Sequence, residues 1–367
     1  MLDIETYNSN EDAARAIAPA RAIEAFGPVT FDNTHYPVRV SREIELLRYV
    51  DTMHDAKGAK YFGDGSLFSQ REAEIVGQIC ETVAEFTSRH FGRRTRPWVA
   101  PLAAVPLWRV VSAWAEALKL SSPSVLEFGP GSGYLGAALI KMGFRYASMD
   151  ISQGFYLWQN RLYEALAPSD FYEMAADREP VRNRSAAVTH IPWWHFVKFG
   201  ADLPIHADFV VCDHALGEMS KVALRFVLRE SRRILSGPGP KLFLFTSPGA
   251  NFVQNLDQIF AEFAQSGYCV LATRSYAAFA PIGSELSPYA LRLERGLMGK
   301  IRRRLGNNRQ KPLPHDLAAL ENGVPAVGGG KPGIPGREFI PLRADEAPLD
   351  YDFLARAEIG APLTVSR

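Results

Sequence analysis

Three glycines, Gly131, Gly133 and Gly136, have the spacing G-x-G-x-x-G. They lie between an apolar run at residues 124–128, which predicts a strand, and a stretch of helical composition. Glycines at such a turn let the backbone approach a ligand closely, and the helix N-terminus adds N–H donors. Asp150 follows roughly 20 residues later, where an acid binds the hydroxyls of a ribose. The pattern therefore indicates a nucleotide-type ligand without selecting one.

A carboxylate before the loop separates two cofactor classes. Glu127 stands two residues before Gly129, at the end of the predicted strand. It would repel a pyrophosphate, and it would attract the amino group and the sulfonium of S-adenosylmethionine. We therefore expect S-adenosylmethionine as the cofactor. Two alternatives remain: an NAD(P)-dependent oxidoreductase that uses the same loop, and a non-catalytic module that keeps the fold and cofactor.

Short apolar runs alternate with helical stretches around this loop. Such alternation predicts an α/β fold with a Rossmann-like doubly wound sheet. Uninterrupted apolar runs are typical of strands that are buried on both faces. The predicted strands cover residues 124–128, 146–149, 186–191, 208–212, 242–246 and 268–273.

The chain divides into three parts. Residues 1–97 are predicted as a helical N-terminal cap region, in which Ser69 and Glu72 have the spacing of a capping box. Residues 98–275 form the predicted cofactor-binding domain. Residues 276–367 are an insertion and C-terminal region, with 338–342 as a candidate last strand of the sheet. We expect residues 1–97 and the insertion at 275–336 to cover the ligand crevice and to select the acceptor.

Residues 124–273 resemble the class I S-adenosylmethionine-dependent methyltransferase family. The segment EFGPGSG at 127–133 is similar to the family's first motif, and residues 208–219 (DFVVCDHALGEM) are similar to its fourth. The resemblance implies a cofactor-binding set of Glu127, Gly129, Gly131, Gly133, Tyr134, Asp150, Ile151 and Asp213. Ile151 would pack on the adenine, and the end of the fourth motif would face the reacting methyl group. One departure is that no acidic residue follows the third apolar run. Residues 150–159 and 190–194 also resemble a smaller group assigned as sugar O-methyltransferases.

Four polar residues are candidates for catalysis: His190, Asp213, His214 and Glu218. Each stands at or after the end of a predicted strand, where open parallel sheets bind ligands. Methyl transfer to a hydroxyl requires a held acceptor and a base, and histidine titrates near neutral pH. We expect His214 as the base and His190 as the second candidate. A hydrogen-bonded structural role is the alternative for each histidine.

The other polar and aromatic candidates have alternatives as well. Asp213 orients either the cofactor's amino group or a histidine, and Glu218 serves either in catalysis or as a cap of the following helix. A divalent cation bound by Asp213, His214 and Glu218 is the alternative to a site without metal; their spacing matches no metal motif, so no metal is expected. Adjacent tryptophans Trp193 and Trp194 offer flat faces for a sugar ring, although core packing is the usual role of such a pair. Trp158 is a candidate to close over the adenine.

Composition limits the partners. Lys and Arg (41) nearly balance Asp and Glu (40), for a formal charge of +1, so no global field favours nucleic acid or an anionic membrane. We interpret the basic run at 300–304 as a solvated helix face. Neither a signal peptide nor an apolar stretch of about 18 residues is apparent. With three scattered cysteines, these features predict a cytoplasmic protein acting on a small-molecule acceptor such as a sugar or glycan.

Overall fold

The structure is a computed structural model, and it describes residues 2–27, 38–51, 69–97, 100–179, 186–246, 253–273, 276–291, 311–314, 317–318 and 320. The strands in these ranges are β1 (Ser124–Phe128), β2 (Arg145–Asp150), β3 (Phe171–Glu173), β4 (Val188–Pro192), β5 (Phe209–Val211), β6 (Leu242–Phe245), β7 (Tyr268–Thr273) and β8 (Ala277–Pro281). The helices are α1 (Ile4–Ile17), α2 (Ala20–Phe26), α3 (Gln70–Phe91), α4 (Ala100–Ala103), α5 (Val105–Ala117), α6 (Tyr134–Lys141), α7 (Gln153–Leu166), α8 (Trp193–Phe199), α9 (Lys221–Ile234) and α10 (Leu256–Gln265).

All eight strands belong to one sheet, in the order β3-β4-β2-β1-β5-β6-β8-β7. Neighbours from β3 to β6 pair in parallel, whereas β8 pairs antiparallel with both β6 and β7. The chain proceeds outward from β1 in both directions, so the C-terminal edge of β1 is the switch point where such sheets bind ligands. The predicted Rossmann-like doubly wound sheet is confirmed. Strands β1, β5 and β6 are buried along their whole length, as helices on both faces require.

The sheet extends past the predicted boundary at residue 275. Strand β8 was not predicted, and it forms a β-hairpin with β7 that the boundary would cut. Strand β8 follows β7 closely in sequence and lies between β6 and β7 in the sheet. The antiparallel strand is therefore reached directly from β7, without the long insertion that was expected before a last strand. Strand β3 was also missed, and it pairs with β4 at the other edge. The candidate strand at 338–342 lies outside the described residues.

The N-terminal region shares one hydrophobic core with the helices of the sheet. Helix α3 begins with the predicted capping box, in which Ser69 Oγ accepts from the backbone of Glu72 and the Glu72 carboxylate accepts in return. Between α2 and α3, the described residues 38–51 contain a 3-10 helix at Glu43–Tyr49. Helix α3 packs on α6 and α7, and α1 packs on α8. These contacts make the region part of the wall of the domain.

Some predicted features fall beyond the described ranges. A 3-10 turn at Ser287–Tyr289 precedes residues 292–310, which are outside the described part and include the basic run at 300–304. No helix within the described residues is long and apolar enough to cross a membrane.

Candidate functional site

The turn between β1 and α6 uses three glycines in the left-handed region. Gly129, Gly131 and Gly133 have φ values of 64°, 57° and 78°, which side chains other than glycine rarely adopt. A Cβ on Gly129 would lie 2.9 Å from the Cβ of Ala215, and one on Gly133 would lie 2.7 Å from the hydroxyl of Tyr163. A Cβ on Gly131 would meet no atom within 4 Å. The outer glycines are therefore packed against protein, and Gly131 faces open space.

Glu127 lies at the end of β1 beneath this turn, and its side chain is buried. The Tyr146 hydroxyl donates to its Oε2 over 2.6 Å. Burial raises the pKa of Glu127 to about 8; the Tyr146 hydrogen bond acts against this rise, and repulsion from Asp213 and Asp150 adds to it. This carboxyl therefore takes up a proton readily unless a cation lies beside it.

Asp150 ends β2 and is buried next to the loop. Its Oδ1 accepts from the backbone N–H of Ser152 at 2.9 Å, and its Oδ2 accepts from Gln159 Nε2 at 2.8 Å. Burial raises the pKa of Asp150, although these two hydrogen bonds favour the ionised form. The same amide nitrogen of Gln159 donates to the Gly131 carbonyl at 2.7 Å. Gln159 thus ties the predicted ribose acid to the glycine loop.

Tyr134 and Ile151 also line the cavity, as expected for cofactor contacts. The Tyr134 hydroxyl donates to the carbonyl of Val50, and Ser132 Oγ donates to the carbonyl of Asp51 at 3.0 Å. The segment at residues 38–51 therefore holds the glycine loop from outside, and Val38 of the same segment lines the cavity.

Asp213 and His214 follow β5 and form a pair. His214 Nδ1 lies 2.8 Å from Asp213 Oδ2, while Thr246, just after β6, donates to Asp213 Oδ1 from its backbone N–H at 3.1 Å and from its hydroxyl at 2.5 Å. Burial opposes ionisation of Asp213, but His214 and the Thr246 hydrogen bonds outweigh it and lower the pKa. Burial likewise disfavours a charged His214, yet the negative charge and hydrogen bond of Asp213, with Glu218 adding, raise the pKa of the imidazole.

The backbone of His214 is unusual as well. Its φ is 62°, in the left-handed region, and its side chain is 58% exposed. Non-glycine residues in this conformation are uncommon, and they concentrate at functional sites. Since Asp213 engages Nδ1, the nitrogen that remains for an acceptor is Nε2.

Glu218 lines the cavity near this pair. The alternative that it caps the following helix does not agree with the structure, because Ser220 is the N-cap of α9 and its side chain accepts from the backbone of Ala223 at 3.2 Å. The backbone N–H of Glu218 donates to the Ala215 carbonyl at 3.1 Å, in the turn that follows His214.

The structure does not bring His190 to the cavity, which corrects the expectation that it faces the crevice. The residue lies inside β4 with no exposed side-chain surface, and it is absent from the described cavity lining. Its Nδ1 lies 3.1 Å from Glu173 Oε2, and its Nε2 lies 3.0 Å from Gln159 Oε1. Side chains alternate between faces along a strand, and position 190 has its side chain turned into the core beneath α7. His190 therefore has no access to an acceptor in this cavity.

The three tryptophans singled out from the sequence pack in the core. Trp193 Nε1 donates to Glu11 of α1 at 2.8 Å, and the Trp194 ring packs edge-on against Trp193 and Tyr7. Trp158 Nε1 donates to the Ser132 carbonyl at 3.1 Å, so this side chain supports the loop from behind. None of the three is among the described residues lining the cavity, and the stacking roles considered for them are not observed.

The cavity at this edge of the sheet has a volume of about 590 Å³. Its floor consists of the ends of β1, β2 and β5. Its outer wall is largely apolar and comes from the end of α2, from α4 and α5, and from the start of α9. Residues of that wall include Ala25, Phe26, Ala103, Ala104, Pro106, Leu107, Met219 and Ala223.

The charged groups that line the cavity are almost all acids. The lining carries the five carboxyls of Glu24, Glu127, Asp150, Asp213 and Glu218, together with His214, and no Lys or Arg occurs among the described lining residues. No group of three or more His, Cys, Asp or Glu side chains within the described residues is arranged to hold a metal ion. The cavity therefore favours a cationic or neutral ligand over an anionic one.

Two contributors to the site were missed from the sequence. Thr246 holds Asp213, and a polar residue directly after the neighbouring apolar strand was the available signal. Gln159 bridges Asp150 and Gly131, but no local pattern marks it, because its partners come from two other elements.

No protein-family model matches the chain, and no curated protein matches it. Among solved structures, a glycopeptide N-methyltransferase, MtfA, complexed with (S)-adenosyl-L-methionine is 17% identical, with a TM-score of 0.31 over 47% of this chain and 93% of that chain.

Two further solved structures show the same level of similarity. A TehB-like SAM-dependent methyltransferase from Corynebacterium glutamicum is 11% identical, with a TM-score of 0.31 over 49% of this chain and 97% of that one. The [4+2]-cyclase SpnF is 16% identical, with a TM-score of 0.31 over 45% and 57%. With TM-scores of 0.31, these matches support no conclusion about activity. The proposed activity rests on the residues of the cavity.

Proposed function

We propose that this chain is an S-adenosylmethionine-dependent methyltransferase. The observation that carries the proposal is the charge of the cavity, in which Glu127, Asp150 and Asp213 stand at three adjacent strand ends and the described lining has no Lys or Arg. A dinucleotide would set its pyrophosphate among these carboxylates without a compensating cation. A ligand with an ammonium and a sulfonium has the charge that the cavity complements.

The residues present fit this cofactor. The open face of Gly131 gives room for close approach to the loop, and Asp150 is held as a ribose acceptor by Ser152 and Gln159. Ile151 and Phe155 line the cavity beyond Asp150 and supply apolar surface for the adenine. Glu127 supplies the buried charge for the amino group. When bound, S-adenosylmethionine supplies an electrophilic methyl group on its sulfonium.

We further propose that His214 removes the proton of an acceptor hydroxyl during methyl transfer. Asp213 holds Nδ1–H, so the imidazole presents Nε2 with its lone pair to the cavity. With S-adenosylmethionine bound, transfer of its methyl group to the acceptor oxygen would release the hydroxyl proton, and His214 Nε2 would accept that proton. Asp213 then stabilises the imidazolium.

A small-molecule hydroxyl is the acceptor we propose, and a sugar hydroxyl is the first class to test because of the sequence resemblance. The tryptophans expected to stack on a sugar are buried away from the cavity. The acceptor side is instead bordered by apolar residues of α2 and α5. A panel of sugars, glycans and phenols separates a polar from an apolar acceptor body. Cofactor binding without methyl transfer to any member would favour the non-catalytic alternative.

The cofactor is tested by calorimetric titration with S-adenosylhomocysteine and with NADH. We expect S-adenosylhomocysteine to bind and NADH to bind weakly or not at all, because its pyrophosphate is repelled. Tight NADH binding without S-adenosylhomocysteine binding would reverse the assignment.

Gly131→Ala gives a matched test of the loop. We expect a loss of stability of about 1 kcal/mol from the positive φ, together with at least tenfold weaker binding of S-adenosylhomocysteine, since the new methyl group enters the open space. Gly143→Ala is the control: this exposed glycine has φ of 82°, no atom within 4 Å of an added Cβ, and no part in the cavity. If the two variants affect binding equally, the glycine loop is not part of the cofactor site.

The pH dependence of turnover follows from His214. A base must be neutral before it accepts a proton. Because the pKa of His214 is raised above its usual value of 6.5, the imidazole stays protonated to a higher pH than a free histidine does. We therefore expect kcat to increase with pH through an apparent pKa above 6.5, with Asp213 and Glu218 as the facing acids. A pH series under saturating substrates measures this, and a profile that is flat from about pH 6 to pH 8 would argue against a histidine base.

A further inference from the structure

Behind the cofactor cavity, four polar groups form a connected chain: the Gly131 carbonyl, the Asp150 carboxylate, the Gln159 amide and the His190 ring. Gln159 Nε2 donates to Gly131 at 2.7 Å and to Asp150 at 2.8 Å. Both partners are acceptors there, so the amide nitrogen must lie on the cavity side. The amide oxygen consequently faces His190, 3.0 Å from Nε2.

The orientation of Gln159 determines one proton on His190. An amide oxygen only accepts, so His190 Nε2 must carry a hydrogen. The other ring nitrogen, Nδ1, lies 3.1 Å from Glu173 Oε2. If that carboxyl is ionised, Nδ1 must carry a hydrogen as well.

Glu173 holds the other side of the ring. Its Oε1 accepts from the backbone N–H of Ala175 at 2.6 Å and lies 2.5 Å from the Tyr156 hydroxyl, which is also 3.2 Å from the His190 carbonyl, and its Oε2 accepts from Asn160 Nδ2. The proton between Glu173 Oε2 and His190 Nδ1 can reside on either atom, because Nδ1 of a neutral ring is an acceptor. In both cases Nε2 keeps its hydrogen and donates to Gln159.

Aromatic contacts hold the His190 ring in this orientation. The Tyr156 ring of α7 stacks on the His190 ring at 3.7 Å with an interplanar angle of 9°, and the ring of Tyr163 contacts it edge-on at 5.5 Å. The charged groups that face it are Glu173 of β3, in direct contact, and Asp150 of β2 beyond Gln159.

We propose that His190 is a positioning residue that orients the cofactor site through Gln159. Its Nε2–H fixes the amide, the amide holds Asp150 and the Gly131 carbonyl, and Glu173 holds the other ring nitrogen. The role of Asp150 in this proposal rests on the proposed function, whereas the hydrogen on His190 Nε2 rests on the hydrogen bonds alone.

Two measurements test it. In nitrogen-15 spectra of histidine-labelled protein, the signal that disappears in His190→Gln is expected to show a proton on Nε2 at neutral pH. In calorimetry with S-adenosylhomocysteine, His190→Gln is expected to weaken binding about tenfold, the loss of one hydrogen bond to a charged network. The control His195→Gln changes a buried histidine that bonds the Asp177 carbonyl outside the cavity, and it is expected to bind as the wild type does.

Gln159→Glu covers the case in which His190→Gln does not fold. It keeps an acceptor for His190 but replaces the donor to Asp150 by a repelling carboxylate, so binding is again expected to weaken about tenfold or more. A His190 ring without a proton on Nε2, or wild-type affinity in the folded variants, overturns the proposal. If wild-type protein fails to bind S-adenosylhomocysteine, the proposed function and the positioning role fail together, and the spectra still decide whether Nε2 carries the proton.

Discussion

His214→Asn is expected to reduce kcat by about 10²- to 10⁴-fold, the range that a positioned general base contributes. Asparagine is chosen because it tolerates the left-handed backbone that His214 adopts at φ 62°. Its amide can still donate to Asp213, so the pair after β5 keeps a hydrogen bond. What it cannot do is accept the hydroxyl proton of the acceptor.

Binding of S-adenosylhomocysteine separates a lost base from a damaged site. We expect its Kd to change less than threefold in His214→Asn, because Glu127, Asp150 and the glycine loop are unaltered. His206→Asn is the matched control, since His206 is an exposed histidine before β5, at the opposite end of that strand. Single-turnover kinetics should be used so that product release does not mask the chemical step. A variant that keeps kcat within threefold of the wild type would exclude His214 as the base.

Much of the fold was predictable because buried parallel strands require uninterrupted apolar residues. The runs at β1, β5 and β6 therefore stood out in the sequence, and the loop glycines and Asp150 could be placed at strand ends by counting. Strand β3 has only three residues at the sheet edge, and β8 is rich in small alanines and ends in proline. Neither has the signal of a buried central strand, and both were missed.

The missed strand β3 also explains the error at His190. Its partner Glu173 lies on β3, and the two side chains meet only because β3 pairs with β4. From the sequence, a polar residue near the end of an apolar run indicated a ligand site. In the structure, the hydrogen bonds of His190 are completed by α7 and β3, which are separate elements whose pairing no local pattern reveals.

The pair of tryptophans shows the same limit. Trp193 and Trp194 begin helix α8, and their partners Glu11 and Tyr7 come from α1, with Glu11 182 residues before Trp193. A tryptophan pair has the same local sequence whether it is exposed for stacking or buried in the core. Contacts with α1, a distant segment, determine that this pair is buried.

Glu127→Gln is expected to stabilise the ligand-free protein at alkaline pH while it weakens cofactor binding. The folded-state pKa of Glu127 is about 8, against a usual value of 4.5. When the pKa of a carboxyl is higher in the folded protein than in the unfolded chain, its contribution to stability is fully present below pH 4.5. That contribution is lost as the pH rises toward 8, because burial disfavours the ionised form in the folded protein. The loss approaches about 1.4 kcal/mol per pH unit in this window. Glutamine has no such loss, and its amide oxygen can still accept from the Tyr146 hydroxyl.

Denaturant unfolding at several pH values measures this difference. We expect the stability of Glu127→Gln relative to the wild type to increase between about pH 5 and pH 8 and to level off above that. Glu116→Gln, an exposed carboxylate on α5, is the control and should show no such trend. A difference that does not vary with pH would mean that Glu127 is ionised throughout in the ligand-free protein.

The same carboxyl should release a proton when the cofactor binds. Near pH 7 Glu127 is largely protonated, and a bound ammonium and sulfonium favour its ionised form, so binding of S-adenosylmethionine displaces up to one proton from it. Calorimetry in buffers of different ionisation enthalpy reports that release, and Glu127→Gln should abolish it and weaken binding at least tenfold. The ionised Glu127 stabilises the complex with the ligand but destabilises the ligand-free protein. We therefore expect Glu127→Gln to gain stability and to lose affinity together. A variant that gains stability without losing affinity would place the cation elsewhere in the cavity.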